Sequence, residues 1–191
     1  MQKMQKMLTK LGACPAALEW VGTRTLADAW VACERADWML WLCARMAGKP
    51  GWPTHQEIVL AACDCAAAAF KFLPNGETLS RKRIRIARRW ARGKATIDEV
   101  RAVADATDVA DATDADADAS EAAIAAACAA ISIEEAVFAA EHAASAAYVA
   151  HSGDRTVAES ARMAMLASMA RLVRRRLMPS LKAFNREKGS S

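Results

Sequence analysis

Residues 26–46 read LADAWVACERADWMLWLCARM and hold Trp30, Trp38 and Trp41, three of the six tryptophans of the chain. Indoles carry the largest apolar area of any side chain, so this stretch is expected to anchor the core. On one continuous helix Leu26, Trp30, Cys33, Leu40, Trp41 and Ala44 share a stripe. Asp37 falls in the middle of that stripe, and Arg35 points to the opposite side. Two chain paths accommodate this. Either the helix breaks near Ala36 and Asp37 caps a second helix over 38–47, or one helix runs through and buries Asp37. An unpaired buried carboxylate costs several kcal/mol, so the second path requires a partner for it.

Around this stretch the chain reads as all-α. It has 191 residues, 54% of them apolar but many of these alanine, only 6% aromatic, with 8 Gly and 5 Pro. That composition favours helix nearly throughout and predicts a compact bundle of about seven to nine helices. One helical domain over 1–191 is expected: a Trp/Cys-rich half (13–101), an acidic low-complexity segment (102–119), an alanine-rich half (120–178), and a short helix with a tail after Pro179 (179–191). Four Ser/Thr-x-x-Glu sequences mark helix starts as capping boxes, at Thr54, Thr96, Ser132 and Thr156. The helix from Thr54 runs to about Phe72 and is apolar on every face but the strip Glu57, Asp64, Lys71, which suits the bundle centre.

The net charge is only +4, but it is segregated. Residues 81–94 carry eight basic residues and no acid, and residues 98–121 carry nine acids against Arg101 alone. Adjacent helices of opposite charge lying side by side account for this. The alternative is a surface with two poles. The acidic run Asp105, Asp108, Asp111, Asp114, Asp116, Asp118 is the candidate contact for a basic protein partner. Asp recurring at steps of three leaves no apolar face, so the helix is expected to fray or break within 107–119. Asp114-Ala-Asp116-Ala-Asp118 imitates a calcium loop, but Ala119 and Ala125 stand where the loop glycine and the bidentate glutamate are needed. On the basic helix Arg81, Arg85, Arg88 and Arg92 follow one side, a candidate nucleic-acid contact that the neighbouring acids oppose. Arg83 lies within that helix's apolar side, as Asp37 does in its own, and is the candidate buried partner of Asp37.

The six cysteines (14, 33, 43, 63, 65, 128) sit mostly in apolar helical patterns. Cys63 and Cys65, two apart on a helix, point to nearly opposite sides and cannot share a metal ion. His142 and His151 have no ligand spacing with other donors. No Gly-rich phosphate loop, nucleophile triad or metal cluster is found, so no cofactor, metal or catalytic residue is expected. The start MQKMQKMLTKL lacks the apolar core of a secretory signal and no run reads as a membrane span, which predicts a cytoplasmic protein with free thiols.

Several pieces then form a pattern: Cys14-Pro-Ala-Ala-Leu-Glu-Trp20, Ala29-Trp30, Cys33-Glu-Arg35, Asp37-Trp-Met-Leu-Trp-Leu42, Leu60-Ala-Ala-Cys-Asp-Cys65, Arg81-Lys82 leading to Ala87 and Trp90, and Gly93-Lys-Ala-Thr-Ile-Asp-Glu-Val-Arg101. Together they resemble a family of small, alanine-rich immunity proteins of bacterial polymorphic toxin systems, also carried by phages. The resemblance covers roughly 13–150 and is specific within 14–101. The Asp-rich run and the Met/Arg-rich C-terminal helix depart from it. It implies a non-enzymatic protein that binds and neutralises a protein partner, a toxin or a host defence protein. In it Trp20, Trp30, Asp37, Trp38, Trp41 and Trp90 are family-defining positions, of types that suit fold anchors better than a site.

Overall fold

A computed structural model describes residues 3–73, 79–106 and 114–177, with 114–116 as backbone only. Ten α-helices and no strands lie among the described residues. This slightly exceeds the expected count, because the Trp-rich segment and the 120–150 segment both break. The short helix expected after Pro179 falls outside the described residues. No described helix is long and apolar enough to cross a membrane.

Helix α1 (Lys3–Leu11) buries Met4 and Leu8, one turn apart, and stops at Gly12, whose φ of +84° L-residues rarely adopt. Arg45 donates to the Leu11 carbonyl through Nε (3.3 Å) and Nη2 (3.2 Å), satisfying an orphan acceptor at that helix end. Pro15 opens α2 (Pro15–Val21) at a position where no N–H is needed. Thr25 caps α3 (Leu26–Ala32), its hydroxyl accepting from the Asp28 N–H at 3.2 Å.

The decisive stretch breaks, and earlier than expected. Residues 33–35 leave the helix, and α4 (Ala36–Met46) starts with Arg35, not Asp37, at its N-cap position. Asp37 lies in the first turn of α4 and is nevertheless buried, at 2% exposure. Both sequence paths were half right. The break exists, and so does the buried carboxylate.

Helix α5 (His55–Ala68) is the central helix, packed against α4, α6, α8, α9 and α10, and a 3₁₀ turn, Ala69–Phe72, extends it. Its capping box forms, with the Thr54 hydroxyl accepting from the Glu57 N–H and the Glu57 carboxylate accepting from the Thr54 N–H at 2.8 Å. Thr96 and Glu99 do the same for α7 (Ile97–Ala104). The basic helix α6 (Leu79–Ala91) lies against α7, and Arg89 reaches Glu99 at 3.9 Å, as expected for opposite charges placed side by side.

Two of the boxes do not form. Ser132 makes no side-chain cap and leads into a 3₁₀ turn, Ile133–Glu135, before α9 (Ala136–Val149). At α10 (Arg155–Arg176) Asp154 takes the cap, accepting from the N–H groups of Thr156 and Val157 at 2.8 and 3.2 Å. A carboxylate two residues upstream displaces the Thr156 hydroxyl. Helix α8 (Asp114–Cys128) begins inside the acidic run, so of the stretch 107–119, where a break is expected, 114–119 is helical. Carboxylates at a helix N-terminus meet the positive end of its dipole, which favours a helix start there. Residues 107–113 lie outside the described residues.

Arg83 is buried at 2% exposure, as its place on the apolar side of α6 requires. Its partner is not Asp37. Its Nε donates to the Val103 carbonyl at 3.2 Å, Nη2 to the Ala106 carbonyl, and Nη1 to the Ser120 hydroxyl at 3.5 Å. The guanidinium therefore closes the C-terminal end of α7, where unpaired carbonyls and the dipole both favour a cation. Arg83→Met is expected to cost about 3 kcal/mol, from buried acceptors left unpaired. The loss should be the same in an Asp37→Asn background, because the two sites share no contact. Urea denaturation of the single and double variants measures this, and a smaller loss in the double variant would contradict it.

Candidate functional site

The N-terminal helices do not close completely. The indoles of Trp20, Trp30, Trp38 and Trp41 line a cavity of about 360 Å³ between α1, α2, α3, α4 and α9, within the size range of ligand pockets. Trp20 and Trp38 meet edge to face, with centroids 6.0 Å apart. The Met4 and Leu8 stripe of α1 supplies one apolar wall, and α9 supplies Val137 and Glu141, four residues apart and so on one helix face.

The polar groups of the cavity come from the break in 33–35. Arg35 is extended (φ −107°, ψ 94°), so its side chain folds back on Asp37. Its Nε donates to Asp37 Oδ1 at 2.9 Å and its Nη2 to Oδ2, and its guanidinium lies 4.5 Å from the centre of the Trp38 ring. Asp37 is thus neutralised by a residue that a continuous helix would have placed on the far side. Arg174 of α10 holds the break by donating to the carbonyls of Cys33 and Trp30. Trp30 is 5% exposed, and its indole Nε1 is buried without a hydrogen-bond partner.

Glu141 sits at the exposed rim of the cavity. Desolvation, and after it the negative charge of Asp37, push its carboxyl above the usual range. Cys33, also in the lining, is buried, and burial pushes its thiol up. Burial acts alike on Cys43, Cys63 (to about 12) and Cys65, so these four sulfurs stay protonated at neutral pH and are poor nucleophiles. No group of three or more metal-ligating side chains occurs among the described residues.

The other sequence candidates separate. Trp90 is outside the cavity, edge to face with His55 at 5.2 Å, and His55 Nε2–H donates to the Ala129 carbonyl at 2.6 Å. Of the acidic run, Asp105 ends α7 at the surface, whereas Asp118 is half-buried and accepts from the Ser145 hydroxyl at 2.8 Å, with His142 at 3.8 Å. Asp108 and Asp111 lie outside the described residues, as do the side chains of Asp114 and Asp116. The basic stripe is not uniform. Arg85 and Arg92 are exposed, Arg81 lies half-buried over the Phe70 ring at 4.6 Å, and Arg88 pairs with Asp64 at 3.0 Å. Asp64 also accepts from Arg176 Nε at 2.6 Å, so Arg88 belongs to a three-residue ion cluster tying α5 to α6 and α10.

Sequence reasoning missed Arg35 as the partner of Asp37 and missed Glu141 altogether. The first had a signal in Glu34-Arg-Ala-Asp37, a cation two residues before an acid at a helix start. The second had none, because Glu141 joins the cavity from a helix a hundred residues away. No family model, curated protein or solved structure matches this chain.

Proposed function

We propose that this is a non-enzymatic binding protein that neutralises a protein partner, an immunity or inhibitor protein. The observation that carries the reading is a coincidence of place. The residues on which the resemblance to toxin-immunity proteins rests, from Cys14 to Leu42, include Trp20, Trp30, Arg35, Asp37, Trp38 and Trp41, which line the cavity. Tryptophan and arginine around a concavity are the residue types that dominate binding energy at protein interfaces.

The test is capture followed by inhibition. Tagged protein is used to isolate a partner, and the partner's own toxic or enzymatic activity is then titrated with the pure chain. Loss of that activity at one equivalent is expected, with Trp41→Ala weakening inhibition at least tenfold. A partner activity untouched by excess chain overturns the reading. Replacing Asp105, Asp108, Asp111, Asp114 and Asp116 by Asn distinguishes the surfaces. Unchanged inhibition puts the contact at the cavity, and lost, salt-sensitive inhibition puts it on the acidic run.

A further inference from the structure

The charges around the cavity do not balance. Two carboxylates, Asp37 and Glu141, line it, against one guanidinium, Arg35. That guanidinium is committed, since it bonds Asp37 through two nitrogens and lies over Trp38. The other basic side chains close enough to influence Glu141 are engaged elsewhere, with Arg162 held by Glu159 at 3.5 Å and His142 beside Asp118 at 3.8 Å. Among the described residues no cation stands within ion-pair range of Glu141. The carboxylate nevertheless lines the same cavity as the four tryptophans, in surroundings that penalise its charge.

A carboxylate at the rim of a chamber walled by indoles is suited to one ligand chemistry. A positive charge is attracted both to the carboxylate and to the negative faces of aromatic rings. An anion would meet the net negative charge that Glu141 adds to the Arg35–Asp37 pair, and a neutral apolar guest would leave Glu141 to water alone.

We infer that the cavity binds a small organic cation, an ammonium group carried on an aromatic or branched apolar body, with Glu141 as its counter-ion and the indoles of Trp20, Trp30, Trp38 and Trp41 as its walls. The body fills the apolar chamber, and the ammonium stays at the rim beside Glu141. This inference shares with the functional reading only the premise that the cavity is a binding site.

Three probes of one shape and different charge test it: phenylbutylammonium, phenylbutanol and phenylbutyrate, titrated into the full chain and followed by tryptophan emission and calorimetry. The ammonium is expected to bind saturably and at least tenfold more tightly than the alcohol, and the carboxylate least well. Glu141→Gln should bring the ammonium down to the affinity of the alcohol and leave the alcohol unchanged. Because Glu141 is exposed and its side chain makes no hydrogen bond among the described residues, this variant should melt with the parent, which separates lost recognition from lost fold. No saturable binding of the ammonium, equal binding of ammonium and alcohol, or a charge preference that survives Glu141→Gln would each overturn the inference. Partner inhibition that persists without probe binding removes this inference alone. Probe binding without partner inhibition removes the functional reading alone.

Discussion

Arg35→Met is expected to lower the unfolding free energy by about 3 to 5 kcal/mol, among the largest effects of any single surface-reaching residue in this chain. The side chain of Asp37 is 3% exposed and that of Arg35 is 26% exposed. Removing the arginine therefore strands a charge that water cannot reach, and also removes the guanidinium stacked on Trp38. The diagnostic is a double-mutant cycle followed by urea denaturation. With Asp37→Asn already in place, Arg35→Met should cost clearly less, a coupling of about 1 to 3 kcal/mol. Equal losses in both backgrounds would mean that the pair contributes nothing to the fold. The same cycle run with Arg83 in place of Arg35 should show no coupling.

Ala143→Leu should also be strongly damaging. Helix α9 is packed by α8, α10, α5 and α4, and its seven buried residues are all alanine: Ala136, Ala139, Ala140, Ala143, Ala144, Ala146 and Ala147. Small side chains allow the neighbouring backbones to approach closely, so a larger group at Ala143 has no room without displacing a helix. Overpacking of this kind costs about 1 to 3 kcal/mol or more, and here the surroundings are helices held on several sides. We expect an insoluble chain or a melting point more than ten degrees lower. Ala143→Gly serves as the control, and should cost about 1 kcal/mol through helix propensity alone. A leucine variant that melts with the parent would show that α9 is packed loosely.

The all-helical architecture was legible because it depends on properties that sum over many residues, namely alanine content, punctuation by Gly and Pro, and apolar spacing. Capping was legible only where no competitor stood nearby. Thr54 and Thr96 cap as read, but Thr156 yields to Asp154. The Asp37 partner was misassigned because helical geometry was extended through Cys33–Arg35, where the backbone leaves the helix and reverses the direction of Arg35. The tryptophans were recognised as core anchors, and Trp30 is one. Side-chain size gives no indication of whether bulky groups interlock or enclose a space, so the cavity could not be read from their positions. Its carboxylate came from a stretch whose composition looked like pure packing.

The hold of α10 on the earlier helices has a consequence for synthesis. Arg174 fastens the junction between α3 and α4, and Arg176 shares Asp64 of α5. A ribosome delivers those early helices first. Their junction carbonyls then wait in water, and Asp64 has only Arg88 as a partner, until the codons for residues 174 and 176 have been translated and α10 has emerged. Nascent chains released before that point would present an incompletely fastened tryptophan chamber, so competence to bind should arise after translation of α10 and not gradually along the message.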